Sequence, residues 1–166
     1  MTNEHAFLAI SVGNTRSTVA TVQHGTVQAS ASFKASETAE IVQHTLKYWN
    51  DIEEENAQII MANTNENAGK AISQALADQT SRDVWQIGDD IPPAIGQHLD
   101  PETITGVDRL LTASAAWDRF QQACVIVDAG TCVTIDFVDD ETGKGFKIHN
   151  PNHPATVLQV SPLEVT

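Results

Sequence analysis

The chain has 166 residues, with 9 Lys plus Arg against 22 Asp plus Glu, a formal net charge of −13. At 41% apolar and 19% charged residues it can bury a core and is too mixed in composition for wholesale disorder. Its acidic field repels phosphate backbones and anionic lipid headgroups, so neither a nucleic-acid partner nor a membrane role is expected, and any bound phosphate needs backbone amides or a cation.

Taken in chain order, Phe7 to Ser11 reads as an apolar strand, Gly13-Asn14-Thr15 as a turn, and Ser17 to Val22 as a β-branched strand. His24-Gly25 turns into a third strand near Val27 to Phe33. After Ser36, taken as the N-cap, Ile41, Val42, Leu46 and Trp49 keep helical spacing, and Ala57 to Ala62 returns to a strand. A second helix runs over residues 66 to 79 on Ala68, Ile72, Ala75 and Leu76. Val84 to Ile87 is a short strand, Gly88 to Pro101 a loop carrying three prolines, and Gly106 to Phe120 a helix with Val107, Leu110, Leu111 and Trp117 inward.

The pattern then restarts. Cys124 to Asp128 is an apolar strand, Ala129-Gly130-Thr131 a turn and Cys132 to Val138 a β-branched strand. AISVGNTRSTVATV and VIVDAGTCVTIDFV share one scheme: apolar strand, small polar residue, glycine, hydroxyl residue, β-branched strand. Such a repeat predicts two similar domains facing each other across a cleft, with both glycine turns at its floor. After a turn at Asp139 to Lys144, the tail from 147 to 166 shows neither helical nor strand periodicity. The domains expected are therefore 1–105, 106–146 and an irregular tail, 147–166. No run approaches the roughly 20 apolar residues of a membrane span, and MTNEHAFLAI lacks a basic n-region, so the expected location is cytoplasmic. Cys124 and Cys132, without a CxxC spacing, are expected to be reduced and packed.

Each glycine turn offers backbone N–H groups that can form an anion nest for ATP phosphates, although a single such turn is also ordinary hairpin chemistry. Neither is a GxxxxGK[ST] loop, and no GxGxxG occurs. Asp128, at a strand end before Gly130-Thr131, is either a turn-capping residue or a hard oxygen ligand for a cation beside phosphates. Ser11 holds the corresponding place in the first repeat. Asp108, in the first turn of a helix, is either a helix-stabilising partner of Arg109 or a general base for a substrate hydroxyl, with Arg109 holding an anion bidentately. His149 and His153 are separated by prolines that forbid the helix an HxxxH metal pair needs. Glu53-Glu54-Glu55 is expected to be a solvated turn.

VGNTR at 12 to 16, GVDR at 106 to 109 and VDAGTCVTID at 127 to 136, in that order and spacing, resemble the type III pantothenate kinases of coenzyme A biosynthesis. The resemblance covers residues 7 to about 138. It implies an α/β class: the duplicated actin-like (RNase H-like) ATPase fold, here with a complete first unit, βββαβαβα, and a second unit that stops after its first hairpin. It implies ATP as phosphoryl donor, Mg²⁺ and a monovalent cation (K⁺ or NH₄⁺), phosphorylation of pantothenate at its primary hydroxyl, and a homodimer. By motif position, Ser11, Val12, Gly13, Asn14, Thr15, Arg16, Ser17, Thr18, Gly130 and Thr131 would contact ATP. Gly106, Val107, Asp108 and Arg109 would bind pantothenate, Asp108 would be the catalytic base, and Asp128 would hold the monovalent cation.

The chain departs from the family pattern twice. The family has Asp where this chain has Ser11, a carboxylate linked to the divalent cation, and it continues past the second hairpin through a glycine-rich strand and further helices. From these departures impaired turnover and marginal stability are expected. The alternative expectation is a non-catalytic ATP-binding or regulatory module of the same fold.

Overall fold

A computed structural model of the protein describes residues 5–94, 97–98, 105–129, 133–138 and 148–149. The chain divides into two compact units, Met1–Pro92 and Pro93–Thr166. The boundary expected from sequence alone stands later, at residue 105.

In the first unit, β1 (Phe7–Val12), β2 (Arg16–Gln23), β3 (Thr26–Lys34), β4 (Gln58–Asn63) and β5 (Val84–Gln86) form one sheet in the order β3-β2-β1-β4-β5. β1 to β3 are joined as antiparallel hairpins, whereas β4 and β5 run parallel to β1. Parallel neighbours need a crossover, and the two crossovers are helices, α1 (Thr38–Asn50) and α2 (Glu66–Thr80). Through β5 the element order is the βββαβαβ expected. The fold is mixed α/β.

Alternation places the core. Leu8, Ile10 and Val12 of β1 point to one face with Val19, Ile59 and Met61, and there they meet Ile41 and Val42 of α1 and Ile72 and Leu76 of α2. Strand positions one residue out of phase, Phe7, Ala9 and Ser11, lie on the opposite face. The β2–β3 turn follows from His24 and Gly25, both with positive φ (50° and 72°), the pairing that a tight two-residue hairpin needs. Asn65 caps α2, its Oδ1 accepting from Ala68 N at 3.2 Å. Ser36 does not cap α1. The N-cap position is Glu37, which makes no side-chain cap bond, and its carboxylate instead accepts from Lys34 N at 2.9 Å. Glu54 is not simply solvated either: it accepts from Ala6 N at 2.8 Å and so holds the entry to β1.

In the second unit, α3 (Val107–Phe120) packs on a hairpin of β7 (Cys124–Ala129) and β8 (Val133–Val138), paired antiparallel as β1 and β2 are. Leu110, Ala113 and Val138 make a small core, with Trp117, Cys124 and Ile126 packed against it. β6 (Gln97–His98) and β9 (Ile148–His149) pair in parallel. This corrects two expectations, that 88–101 is loop throughout and that nothing regular lies beyond residue 146, because a two-residue pairing leaves no periodicity to read. Val125 and Val127 of β7 are exposed, as is Phe120. Cys124 is a half-buried free thiol; Cys132 and His153 lie outside the described residues. Among the described residues no helix is long and apolar enough to cross a membrane.

Candidate active site

The candidate region of the first unit is the β1–β2 turn. Gly13 N donates to Arg16 O at 3.1 Å, and a Cβ at Gly13 would stand 2.8 Å from that same oxygen, so the close backbone return requires glycine here. The Gly13 amide is therefore engaged within the hairpin rather than open to an anion, contrary to the simplest nest. Ala35 N donates to Thr15 O at 2.9 Å and ties the turn to the segment after β3. Ser11, Asn14, Thr15 and Arg16 are exposed, Gly13 and Thr18 half-buried. Val12 and Ser17 face the helices and are buried, so of these two only the backbone is available to a ligand. Ser17 Oγ is buried without a hydrogen-bond partner among the described residues. Ser11 lies in register with Thr18 and Ala62 on the opposite face, and Thr18 Oγ1 and Ser32 Oγ share a hydrogen bond of 2.9 Å.

Sequence reasoning missed the neighbours of this turn. β1, β4 and β5 run parallel, so Val12, Asn63 and Gln86 end on one edge of the sheet, the edge at which open α/β sheets bind ligands. Thr64 N bonds to Val12 O at 2.9 Å, and Asn63 Oδ1 accepts from Asn65 N at 2.9 Å. A cavity of about 310 Å³ opens there, lined in part by Asn63, Glu66, Lys70, Gln86 and Asp89. The only sequence signal for it was the polar run Asn63-Thr64-Asn65 directly after an apolar strand.

A separate candidate region lies in the second unit. Gly106 is the N-cap residue of α3, and its carbonyl accepts from Arg109 N at 3.1 Å. Asp108 is exposed in the first turn, its Oδ1 accepting from the Arg109 amide at 2.9 Å. Its side chain is not paired with the Arg109 guanidinium. That guanidinium goes to Asp136 on β8, with Nε donating to both carboxylate oxygens at 3.1 Å and Nη2 closing the fork on Oδ1. Asp136 is 2% exposed. The hydrogen bond that Arg109 donates to Asp136, with the nearby charges of Asp136 and Asp108, raises the pKa of Arg109 against the opposing effect of burial. Asp136, the buried partner, is not among the residues that sequence reasoning singled out.

Asp128 is exposed on β7 and lies opposite Thr134, whose Oγ1 is buried without a hydrogen-bond partner among the described residues. Gly130 and Thr131 lie outside the described residues. Among the described residues no three His, Cys, Asp or Glu side chains gather as a metal cluster. The exposed carboxylate of Asp128 is an oxygen donor of the kind that hard cations take.

A family model described as type III pantothenate kinase matches residues 7–145. A type III pantothenate kinase of Flavobacterium johnsoniae is 40% identical over 53 residues, 31% of this chain and 21% of that one. One of Nitrosospira multiformis is 27% identical over 92 residues, 55% of this chain and 35% of that one. The chain thus spans about a third or less of the length of these curated relatives. Among solved structures, a Ppx/GppA phosphatase of Aquifex aeolicus aligns with a TM-score of 0.50 at 9% identity, over 82% of this chain and 49% of that one, a likeness of fold alone. A Bacteroides thetaiotaomicron protein described as having an actin-like ATPase fold aligns over 54% of this chain and 35% of its own, with a TM-score of 0.43 and 13% identity.

Proposed function

Because the chain belongs to the type III pantothenate kinase family, we propose that it serves the ATP-dependent phosphorylation of pantothenate to 4′-phosphopantothenate, in the family's homodimeric state. The observation that carries this reading is the start of α3, where Asp108 presents an exposed carboxylate beside an arginine held by a buried one. In the proposed reaction Asp108 accepts the proton of the primary hydroxyl as its oxygen attacks the γ-phosphorus, and the bond to the bridging oxygen breaks to release ADP. Gly106, Val107 and Arg109 hold pantothenate. The exposed Ser11, Asn14, Thr15 and Arg16, the half-buried Gly13 and Thr18, the backbone of Val12 and Ser17, and Gly130 and Thr131 would hold the phosphates, and Asp128 would hold K⁺ or NH₄⁺. Mg²⁺ carried by the nucleotide would supply charge neutralisation, and Ser11 would offer only a hydroxyl toward it.

Ser11 also favours a second reading, an ATP-binding module without turnover, since a hydroxyl does not neutralise a divalent ion. The test is formation of 4′-phosphopantothenate by the purified chain with ATP, Mg²⁺ and K⁺, beside Ser11→Asp and Asp108→Asn. Turnover that rises in Ser11→Asp and falls by about 10²-fold or more in Asp108→Asn is expected. Turnover indifferent to Asp108 rejects it as the base, and ATP binding without product in every chain selects the module.

A further inference from the structure

Arg109 and Asp136 lie 27 residues apart in sequence and meet between α3 and β8. The side chain of Asp136 is 3% exposed and that of Arg109 27% exposed, so one carboxylate is sealed inside while the guanidinium reaches the surface. A guanidinium carries five N–H groups in one plane. The fork to Asp136 uses the Nε hydrogen and one on Nη2. Three remain: the second hydrogen on Nη2 and both on Nη1. One from each nitrogen points along the end of the plane, the geometry that receives a carboxylate bidentately. Asp108, the neighbouring residue, bonds to the backbone amide of Arg109, and among the described residues no hydrogen bond takes up this end of the guanidinium.

A surface arginine samples many rotamers, and ordering it on a ligand costs side-chain entropy. Here the fork orders it beforehand. We propose that Asp136 is a positioning residue: it grips one edge of the Arg109 guanidinium so that the opposite edge is presented, in a fixed plane, to the carboxylate of the substrate. The inference rests on the pantothenate reading above, and it assigns to β8 a part in choosing acids over neutral analogues.

The test compares binding of pantothenate and of pantothenol, whose CH₂OH replaces the carboxylate, by calorimetry on the full 166-residue chain. Wild type, Asp136→Asn and Arg109→Lys are used, with thermal melting and the arginine Nε–H NMR resonance as readouts of the fold and of the fork. Wild type is expected to prefer pantothenate by about tenfold or more, and Asp136→Asn to lose that preference while its affinity for pantothenol is kept. A folded Asp136→Asn chain with the preference intact overturns the proposal and leaves Asp136 a structural residue. Should Asp136→Asn fail to fold, Arg109→Lys decides, since lysine keeps the charge without the fork: an intact preference there overturns the proposal equally. Wild type binding both compounds alike overturns the role of Arg109 while the pantothenate reading stands. Binding of neither, with a protected Nε–H resonance, overturns the pantothenate reading and the substrate part of the inference with it.

Discussion

At Gly13 a single added methyl group would sit 2.8 Å from the Arg16 carbonyl oxygen, an atom of the backbone that cannot swing aside. Gly13→Ala is therefore expected to cost about 1–3 kcal/mol, read as a lower urea midpoint with an unchanged slope. Arg109 poses the opposite problem, a charge whose removal strands another. Arg109→Leu leaves the buried carboxylate of Asp136 uncompensated, and a loss of about 3–5 kcal/mol is expected, several times that of replacing an exposed arginine such as Arg82. The pH dependence of the Arg109 contribution has a definite sign. A base whose pKa is raised by folding contributes stability in full below its ordinary value, and that stability fades only as pH climbs through the raised one. The Arg109 contribution should thus be flat from neutrality to about pH 10, and a decline there that Arg109→Leu abolishes would contradict the assigned direction.

Among the elements, α2 is the most firmly specified. Asn65 supplies its cap, Ile72 and Leu76 its buried stripe, and Ser81 its left-handed end at φ 54°. Asn65→Ala is expected to cost about 1 kcal/mol, seen as a shift in melting temperature without a change in the fold by circular dichroism. Helix α1 was legible through Ile41 and Val42, but not its start, because the competing bond from Glu37 to the Lys34 amide is a local choice that spacing does not encode. The hairpins were legible for the same reason as α2: Gly13 and His24-Gly25 are turn residues flanked by alternating apolar positions. The two-residue strands β6 and β9 were not legible. Their pairing joins Gln97–His98 to Ile148–His149, a long-range register with no local pattern behind it.

On the scale of the whole molecule the two units are unequally built. Ten buried apolar residues form the main core of the first, whereas Leu110, Ala113 and Val138 make up the buried core of the second, among the described residues. Hydrogen exchange is expected to be faster in α3, β7 and β8 than in β1, β4 and α2, and equal protection in both sets would contradict this. The exposed Val125 and Val127 belong to the same weak unit and are the first places to look for self-association. By itself the sequence determined the α/β class, the strand and helix order of the first unit, the turns at Gly13 and Gly25 and the family, because each is written in local spacing or in a short motif. Only the tertiary structure decided that Val12 and Ser17 face the core, that Asn63 and Gln86 end on the same edge as the glycine turn, and that Arg109 answers to Asp136 rather than to Asp108. Those outcomes depend on which chain segments become neighbours, and neighbours far apart in sequence are chosen by the packing of the whole sheet and its helices.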